Sequence, residues 1–339
     1  MTSQTGRRPV LVVFGKPDYA GNEYLAEMGQ MFDIHVFEAA TRNEAVANLP
    51  AFVKQLGGVD ALVVTVDAPL YQPLNEELLS CLLPRCRIIA SSWAGYSEFD
   101  VDWMTRNNIW FCNTVDAVGE ATASMAMYLI LATVRDTYRA EKGARSDRWY
   151  HDVMPSLDTT DMTLGIVGMG TIGKHLAKRA AAFNMRIKYY NRRQLTAAEE
   201  KEHSVSYCSS LTELLSECEV VSLHCPLNEK TTGLMSTEQF NCMQDGSFLI
   251  NTSRGPVIDE DALVAALESG KIARAGLDVY CNEPDIRDYF KTSDKVICQP
   301  HMGGMTKVAL KKAQRECFEN IKALFASGRP VAPVNAVSN

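Results

Sequence analysis

Residues 163–173 read Thr163-Leu-Gly-Ile-Val-Gly-Met-Gly-Thr-Ile-Gly173 and are the most informative segment of the sequence. It begins with a short apolar run that is typical of a parallel strand buried on both faces. The glycines that follow have the G-x-G-x-x-G spacing, and the segment after them has the apolar periodicity of a helix. Such a turn allows a tight bend, a close approach to a pyrophosphate, and close packing of the helix on the strand. The motif alone is weak, but in this context it predicts a dinucleotide-binding unit of the Rossmann type.

Short apolar runs alternate with helical segments on both sides of this turn. Strands are predicted over residues 10–14, 34–37, 61–65, 87–90, 163–167, 186–190, 220–224, 247–251, 273–277 and 296–298. Helices are predicted over residues 22–31, 75–83, 119–142, 172–183 and 306–327. This alternation predicts an α/β protein with two Rossmann-like lobes, each a parallel sheet flanked by helices, and an interdomain cleft. The boundaries between the lobes are expected near residues 115–116 and 303–304.

The length and composition of the chain restrict the kind of protein it can be. A chain of 339 residues is long enough for two domains, and 46% hydrophobic and 22% charged residues are typical of a globular protein. The net charge of −7 argues against broad binding to nucleic acid or to anionic membranes. The ten cysteines are scattered without a C-x-x-C pair, which predicts reduced thiols, a cytoplasmic location and no metal site. The polar N-terminus predicts no signal region, and the apolar stretch 121–134 is interpreted as a buried helix.

The end of the second strand of the dinucleotide unit indicates which nicotinamide cofactor is preferred. An acidic residue there would bind the ribose 2′-hydroxyl of NAD, whereas an arginine would accommodate the 2′-phosphate of NADP. The chain has Asn191, Arg192 and Arg193 at this position and no carboxylate. Two guanidinium groups can form charge-assisted bonds to a phosphate; the alternative is that both arginines are solvated on a loop. The sequence therefore predicts NADP(H) as the preferred cofactor and leaves NAD(H) open.

Three segments that follow strands carry side chains suited to the reduction of a 2-keto acid. They contain Arg254, Glu283 and His301, and parallel strands bring such segments to one edge of a sheet. Arginine can hold a carboxylate and polarise the neighbouring carbonyl, while histidine can donate a proton to the developing alkoxide. A glutamate can orient the histidine and stabilise its charged form. These three residues are therefore the predicted catalytic group.

Some of these positions also have a purely structural interpretation. Glu283 could simply start a turn, and Asp278 at the end of a strand could satisfy backbone N–H groups. Among the other histidines, His224 lies in an apolar strand and is interpreted as a hydrogen-bonded packing residue. We prefer His301 because an arginine and a glutamate are predicted at the same sheet edge.

The chain resembles the NAD(P)-dependent D-isomer-specific 2-hydroxyacid dehydrogenases over nearly its full length. The motifs that carry the resemblance have the family's order and spacing. They are Gly168-Met-Gly-Thr-Ile-Gly173, His224-Cys-Pro226-Leu, Asn251-Thr-Ser-Arg254-Gly, Gly276-Leu-Asp278-Val and Pro300-His301. The resemblance implies that Arg254 binds the substrate and polarises its carbonyl, that Glu283 and His301 form the acid–base pair, and that Asp278 lies near the nicotinamide. It also implies that the product has the D configuration.

The resemblance further implies the domain arrangement and the partners. A discontinuous substrate-binding (catalytic) domain would comprise residues 1–115 and 304–339, because in the family the C-terminal helix completes the first lobe. Residues 116–303 would form the dinucleotide-binding Rossmann domain. Dimers are usual in the family, so we expect a homodimer whose other partner is a small 2-keto or 2-hydroxy acid.

The family's binding residues can be carried over to matching positions. The loop Trp93-Ala94-Gly95-Tyr96 is similar to the family's substrate loop, whose backbone N–H groups meet the substrate carboxylate; pocket wall and core packing both remain open for its two aromatic side chains. The positions expected to bind the cofactor are Gly168, Met169, Gly170, Thr171, Ile172, Gly173, Asn191, Arg192, Arg193, Pro226, Thr252, Ser253, Asp278 and Thr122.

Two positions depart from the usual pattern of the family. Residues 302–305 read Met-Gly-Gly-Met, where many relatives have a smaller glycine–serine–alanine run, so a different pocket wall is expected. The strand end with Asn191, Arg192 and Arg193 resembles the NADPH-preferring branch of glyoxylate/hydroxypyruvate reductases and fungal D-mandelate dehydrogenases. The sequence thus predicts reduction of glyoxylate, hydroxypyruvate or a bulkier aromatic or branched keto acid such as phenylglyoxylate. A non-catalytic dinucleotide sensor of the same fold, and a formate or phosphonate oxidase, are the alternatives.

Overall fold

The computed structural model describes residues 7–65, 71–149 and 154–337. The chain forms two compact units, of which the first comprises Met1–Val118 and Met305–Asn339 and the second comprises Gly119–Gly304. The first unit is thus built from both ends of the chain. The predicted boundaries at 115–116 and 303–304 lie within a few residues of these divisions. The substrate-binding and dinucleotide-binding roles assigned to the two parts stay predictions.

The elements follow one another along the chain in α/β alternation. The strands are β1 (Val10–Phe14), β2 (Asp33–Phe37), β3 (Ala61–Val64), β4 (Ile88–Ser91), β5 (Trp110–Cys112), β6 (Thr163–Val167), β7 (Arg186–Tyr190), β8 (Ser206–Tyr207), β9 (Val220–Leu223), β10 (Ser247–Asn251), β11 (Ile272–Leu277) and β12 (Val296–Cys298). The helices are α1 (Asn22–Met31), α2 (Arg42–Leu56), α3 (Glu76–Leu79), α4 (Val101–Arg106), α5 (Val115–Val134), α6 (Thr137–Ala144), α7 (Thr171–Ala182), α8 (Ala197–His203), α9 (Leu211–Glu217), α10 (Thr237–Cys242), α11 (Glu260–Ser269), α12 (Asp288–Thr292) and α13 (Lys307–Ser327). Each predicted strand is confirmed with bounds that differ by at most one residue.

The first unit has a five-stranded parallel sheet in the order β2-β1-β3-β4-β5. Successive side chains of β1 enter opposite apolar clusters, as the period of two in a strand requires. Val10 and Val12 lie in one cluster, and Leu11 and Val13 lie in the other, where they join buried side chains of α13. The C-terminal helix therefore belongs to the core of this unit.

The second unit has a seven-stranded parallel sheet in the order β12-β11-β10-β9-β6-β7-β8. Apolar clusters again cover both faces, since Ile166 and Ile250 lie in one cluster while Leu249 and Val221 lie in the other. The predicted α/β class is confirmed. The C-terminal ends of all these strands lie at one edge of the sheet, because every pairing is parallel.

The predicted helix over 119–142 is wrong as a single element. It is two helices, α5 and α6, separated at Asp136, whose φ of 51° lies in the left-handed region. The guanidinium of Arg274, on β11, donates hydrogen bonds to the carbonyl oxygens of Thr133 and Val134 and lies 3.4 Å from the carboxylate of Asp136. These bonds satisfy the last carbonyls of α5 and end it.

Helix α5 is long and apolar enough to cross a membrane by length and composition alone. However, 67% of its apolar window is buried in the structure, where side chains such as Leu129 and Ile130 pack in the core of the second unit. This agrees with the interpretation of residues 121–134 as a buried helix.

Candidate active site

The predicted site residues of the second unit lie at the C-terminal edge of its sheet. The glycine turn follows β6, the segment with Asn191 follows β7, and His224 follows β9. Arg254 follows β10, and Asp278 follows β11. The segment with His301 follows β12. Parallel pairing gathers these segments at the edge where ligands bind in open α/β sheets.

The three glycines of the turn have different surroundings. Gly168 has a φ of 103°, and an added Cβ would lie 2.7 Å from the backbone of His224. A Cβ on Gly173 would lie 2.5 Å from the carbonyl oxygen of Gly168, so helix α7 packs against the turn. A Cβ on Gly170, in contrast, would meet no atom of the described residues within 4 Å beyond its chain neighbours. Two of the glycines are thus required by the protein's own packing, and the third leaves open space at the N-terminus of α7.

This open space fits the diphosphate of a dinucleotide. Helix α7 begins at Thr171, has no acidic residue in its first turn, and presents its N-terminal N–H groups beside Gly170. The hydroxyl of Thr252, in the neighbouring segment after β10, is buried without a hydrogen-bond partner in the described parts of the chain. A buried hydroxyl normally has a partner, so this group favours a bound ligand that supplies one. The donors and the space at this edge are those that a nicotinamide dinucleotide needs.

Asn191 connects the glycine turn to the segment that carries the two arginines. Its Oδ1 accepts a hydrogen bond of 2.8 Å from the backbone N–H of Met169. The amide nitrogen of the side chain, a donor, is therefore the part left for other groups. Arg192 and Arg193 are exposed, and within the described residues no hydrogen bond or ion pair holds either guanidinium.

The segment that carries Arg254 is shaped by a buried asparagine. The side chain of Asn251 accepts from the N–H and hydroxyl of Ser253 at 3.0 and 2.8 Å, and it donates to the carbonyl of Arg254 at 3.0 Å. Gly255 follows, and a Cβ there would lie 1.9 Å from the carbonyl carbon of Tyr280. Only glycine lets the Arg254 segment lie this close to the segment that leads to Glu283.

Glu283 and His301 form a direct pair. His301 Nδ1 lies 2.6 Å from Glu283 Oε2, and the other carboxylate oxygen accepts a hydrogen bond of 2.8 Å from the N–H of Tyr280. Because Nδ1 is engaged, Nε2 is the nitrogen of the ring left to meet a substrate. The His301 side chain is 44% exposed.

Electrostatics favour the ionised form of Glu283. Burial alone would raise the pKa of Glu283, but the hydrogen bond and charge of His301 and the positive charge of Arg254 lower it, and the net shift is downward. An ionised Glu283 can accept a hydrogen bond from Nδ1 of His301 and so orient the ring. The structure thus brings Arg254, Glu283 and His301 together.

Asp278 fixes the backbone that carries His301. Its carbonyl oxygen accepts from the N–H of His301, and its carboxylate accepts from the N–H groups of Met302 and Gly303, each at 2.8 Å. These bonds hold His301 at a φ of 53°, a left-handed conformation that a side-chain-bearing residue rarely adopts. Burial raises the pKa of Asp278 against the opposing effect of these N–H groups. The expectation that Asp278 satisfies backbone N–H groups is confirmed, and its place next to the nicotinamide stays a prediction.

The remaining expected cofactor residues lie around the same edge. Thr122 is on α5, and an added Cβ at Gly303 would lie 3.4 Å from its methyl group. Pro226 is exposed after β9. His224 Nε2 lies 2.8 Å from the hydroxyl of Ser222, and burial lowers the pKa of His224 to about 4. The contact with Ser222 confirms the expectation of a hydrogen-bonded His224, while its Nδ1 is buried without a partner in the described parts of the chain.

The loop Trp93-Ala94-Gly95-Tyr96 lies in the first unit, directly after β4 and Ser92. Asn113 donates a hydrogen bond of 2.5 Å to the carbonyl of Ala94, and the N–H of Thr114 donates to the carbonyl of Trp93. The Trp93 ring packs edge-on against Phe99 in the core of this unit, whereas Tyr96 is 40% exposed. The structure therefore assigns Trp93 to core packing, while the Tyr96 ring packs edge-on against the buried Phe111 and keeps part of its surface exposed.

Sequence reasoning assigned no role to three residues that build the site: Asn251 and Gly255, which lie in the quoted Arg254 motif, and Asn113. Asn251 and Gly255 stand next to Arg254 in the sequence, and a buried polar residue at a strand end was an available signal. The bond from Asn113 to Ala94 joins the ends of two neighbouring strands, which no local pattern reveals.

Comparisons with known proteins agree with this architecture. The model of the D-isomer specific 2-hydroxyacid dehydrogenase, NAD binding domain, matches residues 127–303. Dehydrogenase efuE of Hormonema carpetanum is 52% identical over 322 residues, covering 95% of this chain and 80% of that protein. 4-Methyl-2-oxopentanoate reductase A of Aspergillus oryzae is 33% identical, with coverage of 98% and 99%. The crystal structure of a glyoxylate reductase from Paecilomyes thermophila superposes with a TM-score of 0.89 at 32% identity, covering 96% of this chain and 98% of the other.

Proposed function

This chain belongs to the D-isomer-specific 2-hydroxyacid dehydrogenase family, and on that basis we propose that it reduces a 2-keto acid to the D-2-hydroxy acid with NADPH preferred over NADH. It is an NAD(P)-dependent oxidoreductase of the CH–OH group, as its named relatives are. The relatives' names span a small and a branched substrate, glyoxylate and 4-methyl-2-oxopentanoate. We therefore expect the substrate to be a keto acid of one of these two classes.

The observation that carries the proposal is the convergence of Arg254, Glu283 and His301. Arg254 would clamp the substrate carboxylate and polarise the keto oxygen with its planar fork. His301 would donate the proton on Nε2 to that oxygen, and Glu283 would hold the ring and stabilise its positive charge. When bound, the nicotinamide dinucleotide supplies the hydride that the keto carbon accepts. The carbonyl thereby gains one hydride and one proton and becomes a CH–OH group.

The preference for NADPH is supported by the end of β7. Asn191 uses its oxygen for the glycine turn, and no carboxylate stands there to bind a ribose 2′-hydroxyl. Arg192 and Arg193 are exposed beside it, and guanidinium groups bind phosphate through charge-assisted hydrogen bonds.

A spectrophotometric screen tests the activity. Oxidation of NADPH and NADH should be followed with glyoxylate, hydroxypyruvate, phenylglyoxylate and 4-methyl-2-oxopentanoate. Turnover with at least one keto acid, faster with NADPH, is the expected result. Binding of NADPH without turnover of any keto acid would favour the dinucleotide-sensing alternative.

A pair of variants tests the cofactor assignment. Arg192→Ala combined with Arg193→Ala should raise KM for NADPH by about tenfold or more and leave KM for NADH within about twofold, since only NADPH carries the 2′-phosphate. Arg186→Ala is a matched control, because Arg186 is an exposed arginine at the opposite end of the same strand. Equal increases of KM for both cofactors in the double variant would defeat the assignment.

We propose that the enzyme is a homodimer. Five large apolar side chains in the described residues between the start of α5 and β6 are exposed, and clusters of such side chains can mark interaction sites. They are Tyr128, Tyr138, Trp149, Met154 and Leu157. Light scattering should give twice the chain mass, and Trp149→Glu with Leu157→Glu should lower it; a monomeric wild-type protein would contradict the proposal.

A further inference from the structure

The two exposed arginines are carried by a short loop that is anchored at both ends. This arginine loop, residues 191–195, connects β7 to the Thr196 cap of α8. Arginine side chains lose considerable conformational freedom when they bind a ligand. A loop with a fixed backbone reduces that loss, so the anchors can affect affinity without touching the ligand.

The C-terminal anchor is a buried tyrosine hydroxyl. Tyr189 on β7 is fully buried, and its hydroxyl accepts a hydrogen bond of 2.9 Å from the N–H of Leu195. The same hydroxyl donates a bond of 2.7 Å to the carboxylate of Glu200 on α8. The side-chain amide of Gln194 also donates to Glu200, at 2.9 Å. One carboxylate and one hydroxyl thus fix the two residues that follow the arginines.

The N-terminal anchor is Asn191 itself. Its side chain accepts from Met169 in the glycine turn, and its carbonyl accepts from the hydroxyl of Tyr207 on β8 at 3.3 Å. The rings of Tyr189 and Tyr207 lie 5.4 Å apart, so both tyrosine hydroxyls reach the loop from one side of the sheet. The backbone at both ends of the loop is therefore hydrogen-bonded, while no group of the described residues bonds to the arginine side chains between the ends.

We propose that Tyr189 and Glu200 are positioning residues for cofactor selectivity, because they hold the backbone from which Arg192 and Arg193 reach the 2′-phosphate of the dinucleotide. The proposal rests on the proposed preference for NADPH. Burial and the bond to Glu200 raise the pKa of Tyr189 to about 12, which keeps the hydroxyl a donor throughout the working range. Neither Tyr189 nor Glu200 needs to touch the cofactor.

The direct test measures binding rather than turnover. Calorimetry on the purified full-length protein would compare adenosine 2′,5′-bisphosphate with ADP, which lacks the 2′-phosphate. Tyr189→Phe removes only the hydroxyl. It should lower the affinity for the bisphosphate by about three- to tenfold and change the affinity for ADP by less than about twofold. The matched control is Tyr289→Phe, since Tyr289 also donates to a glutamate, Glu268, but lies on α12.

A second set of variants tests the same role at Glu200, in case the Tyr189→Phe variant misfolds. Glu200 is only partly buried on α8, so Glu200→Ala should fold and should reproduce the selective loss. Glu200→Gln keeps an acceptor oxygen and should restore most of the affinity for the bisphosphate. A purely structural role would instead lower the affinity for both ligands together.

The possible failures can be told apart. Suppose that the double variant Arg192→Ala, Arg193→Ala selectively loses affinity for the bisphosphate, while Tyr189→Phe and Glu200→Ala do not. The positioning role is then wrong and the NADPH proposal stands. If the double arginine variant binds the bisphosphate and ADP with unchanged or equally reduced affinity, the NADPH proposal and the positioning role are both wrong. In the double arginine background, Tyr189→Phe should have no further effect; a full additional loss would overturn the positioning role.

Discussion

The first unit and the second unit have the same kind of parallel sheet, yet the connection after their leading strand differs. Strand β1 is as fully buried as β6. After β1 the chain takes residues 15–21 before α1 begins at Asn22, whereas only residues 168–170 separate β6 from α7. The first turn of α1 contains the acidic Glu23, while that of α7 contains no acidic residue.

The difference indicates where dinucleotide binding comes from. A doubly wound sheet provides the edge, but an anion site also needs a helix N-terminus at the strand end and no negative charge beside it. The second unit meets these conditions and adds Arg254, Glu283 and His301 at neighbouring strand ends. At the corresponding edge of the first unit, the charged Lys16 and Glu38 form an exposed ion pair with each other, and Ser92 with the loop that continues to Tyr96 follows β4.

The largest expected effect comes from removing the proton donor of the second unit. His301→Ala should lower kcat for keto acid reduction on the order of a thousandfold, because no other acid would meet the oxygen. His35→Ala, on β2 of the first unit, is the control and should leave kcat unchanged. A His301→Ala enzyme with more than a tenth of the wild-type kcat would contradict the assignment of the proton donor to the second unit.

Replacing the partner carboxylate should have a smaller effect with a defined pH dependence. Glu283→Gln should lower kcat about ten- to a hundredfold, since the amide cannot stabilise the imidazolium. The pKa of Glu283 is lowered in the fold, so its ionised form contributes stability above the ordinary carboxyl value of 4.5. That contribution is lost as the pH falls through the lowered pKa. The difference in Tm between wild type and Glu283→Gln should therefore shrink below pH 4.5, and a difference that grows on acidification would contradict the charged pair.

Glycine substitutions separate packing from binding. Gly173→Ala places a Cβ 2.5 Å from a backbone oxygen and should destabilise the fold by about 1–3 kcal/mol. Gly170→Ala meets open space and should leave Tm unchanged, but it should weaken dinucleotide binding about tenfold or more because the methyl occupies the phosphate space. Gly29→Ala on α1 also meets open space and should be neutral or stabilising without any effect on binding. If Gly170→Ala binds the dinucleotide normally, the space beside α7 is not the phosphate site.

The sequence could predict what depends on local pattern. Short runs rich in apolar residues located ten strands within one residue, and the glycine spacing and strand ends located the residues of the site. The end of α5 could not be predicted, because it depends on Arg274, which is distant in sequence. The requirement for Gly255 depends on the backbone at Tyr280, and the short edge strand β8 carries too little pattern to be recognised.

The smallest expected effect lies in the first unit. Asn113→Ala removes the hydrogen bond to the carbonyl of Ala94 in the loop expected to meet the substrate carboxylate. KM for the keto acid should rise about three- to tenfold while kcat and the affinity for NADPH stay within about twofold, because one neutral hydrogen bond contributes roughly 1 kcal/mol. Asn107→Ala is the matched control, since Asn107 also donates to a backbone carbonyl, that of Trp103, but at the end of α4. A loss of kcat as large as that of His301→Ala would mean that the first unit contributes to the chemical step, and the contrast between a unit that reacts and a unit that positions would no longer hold.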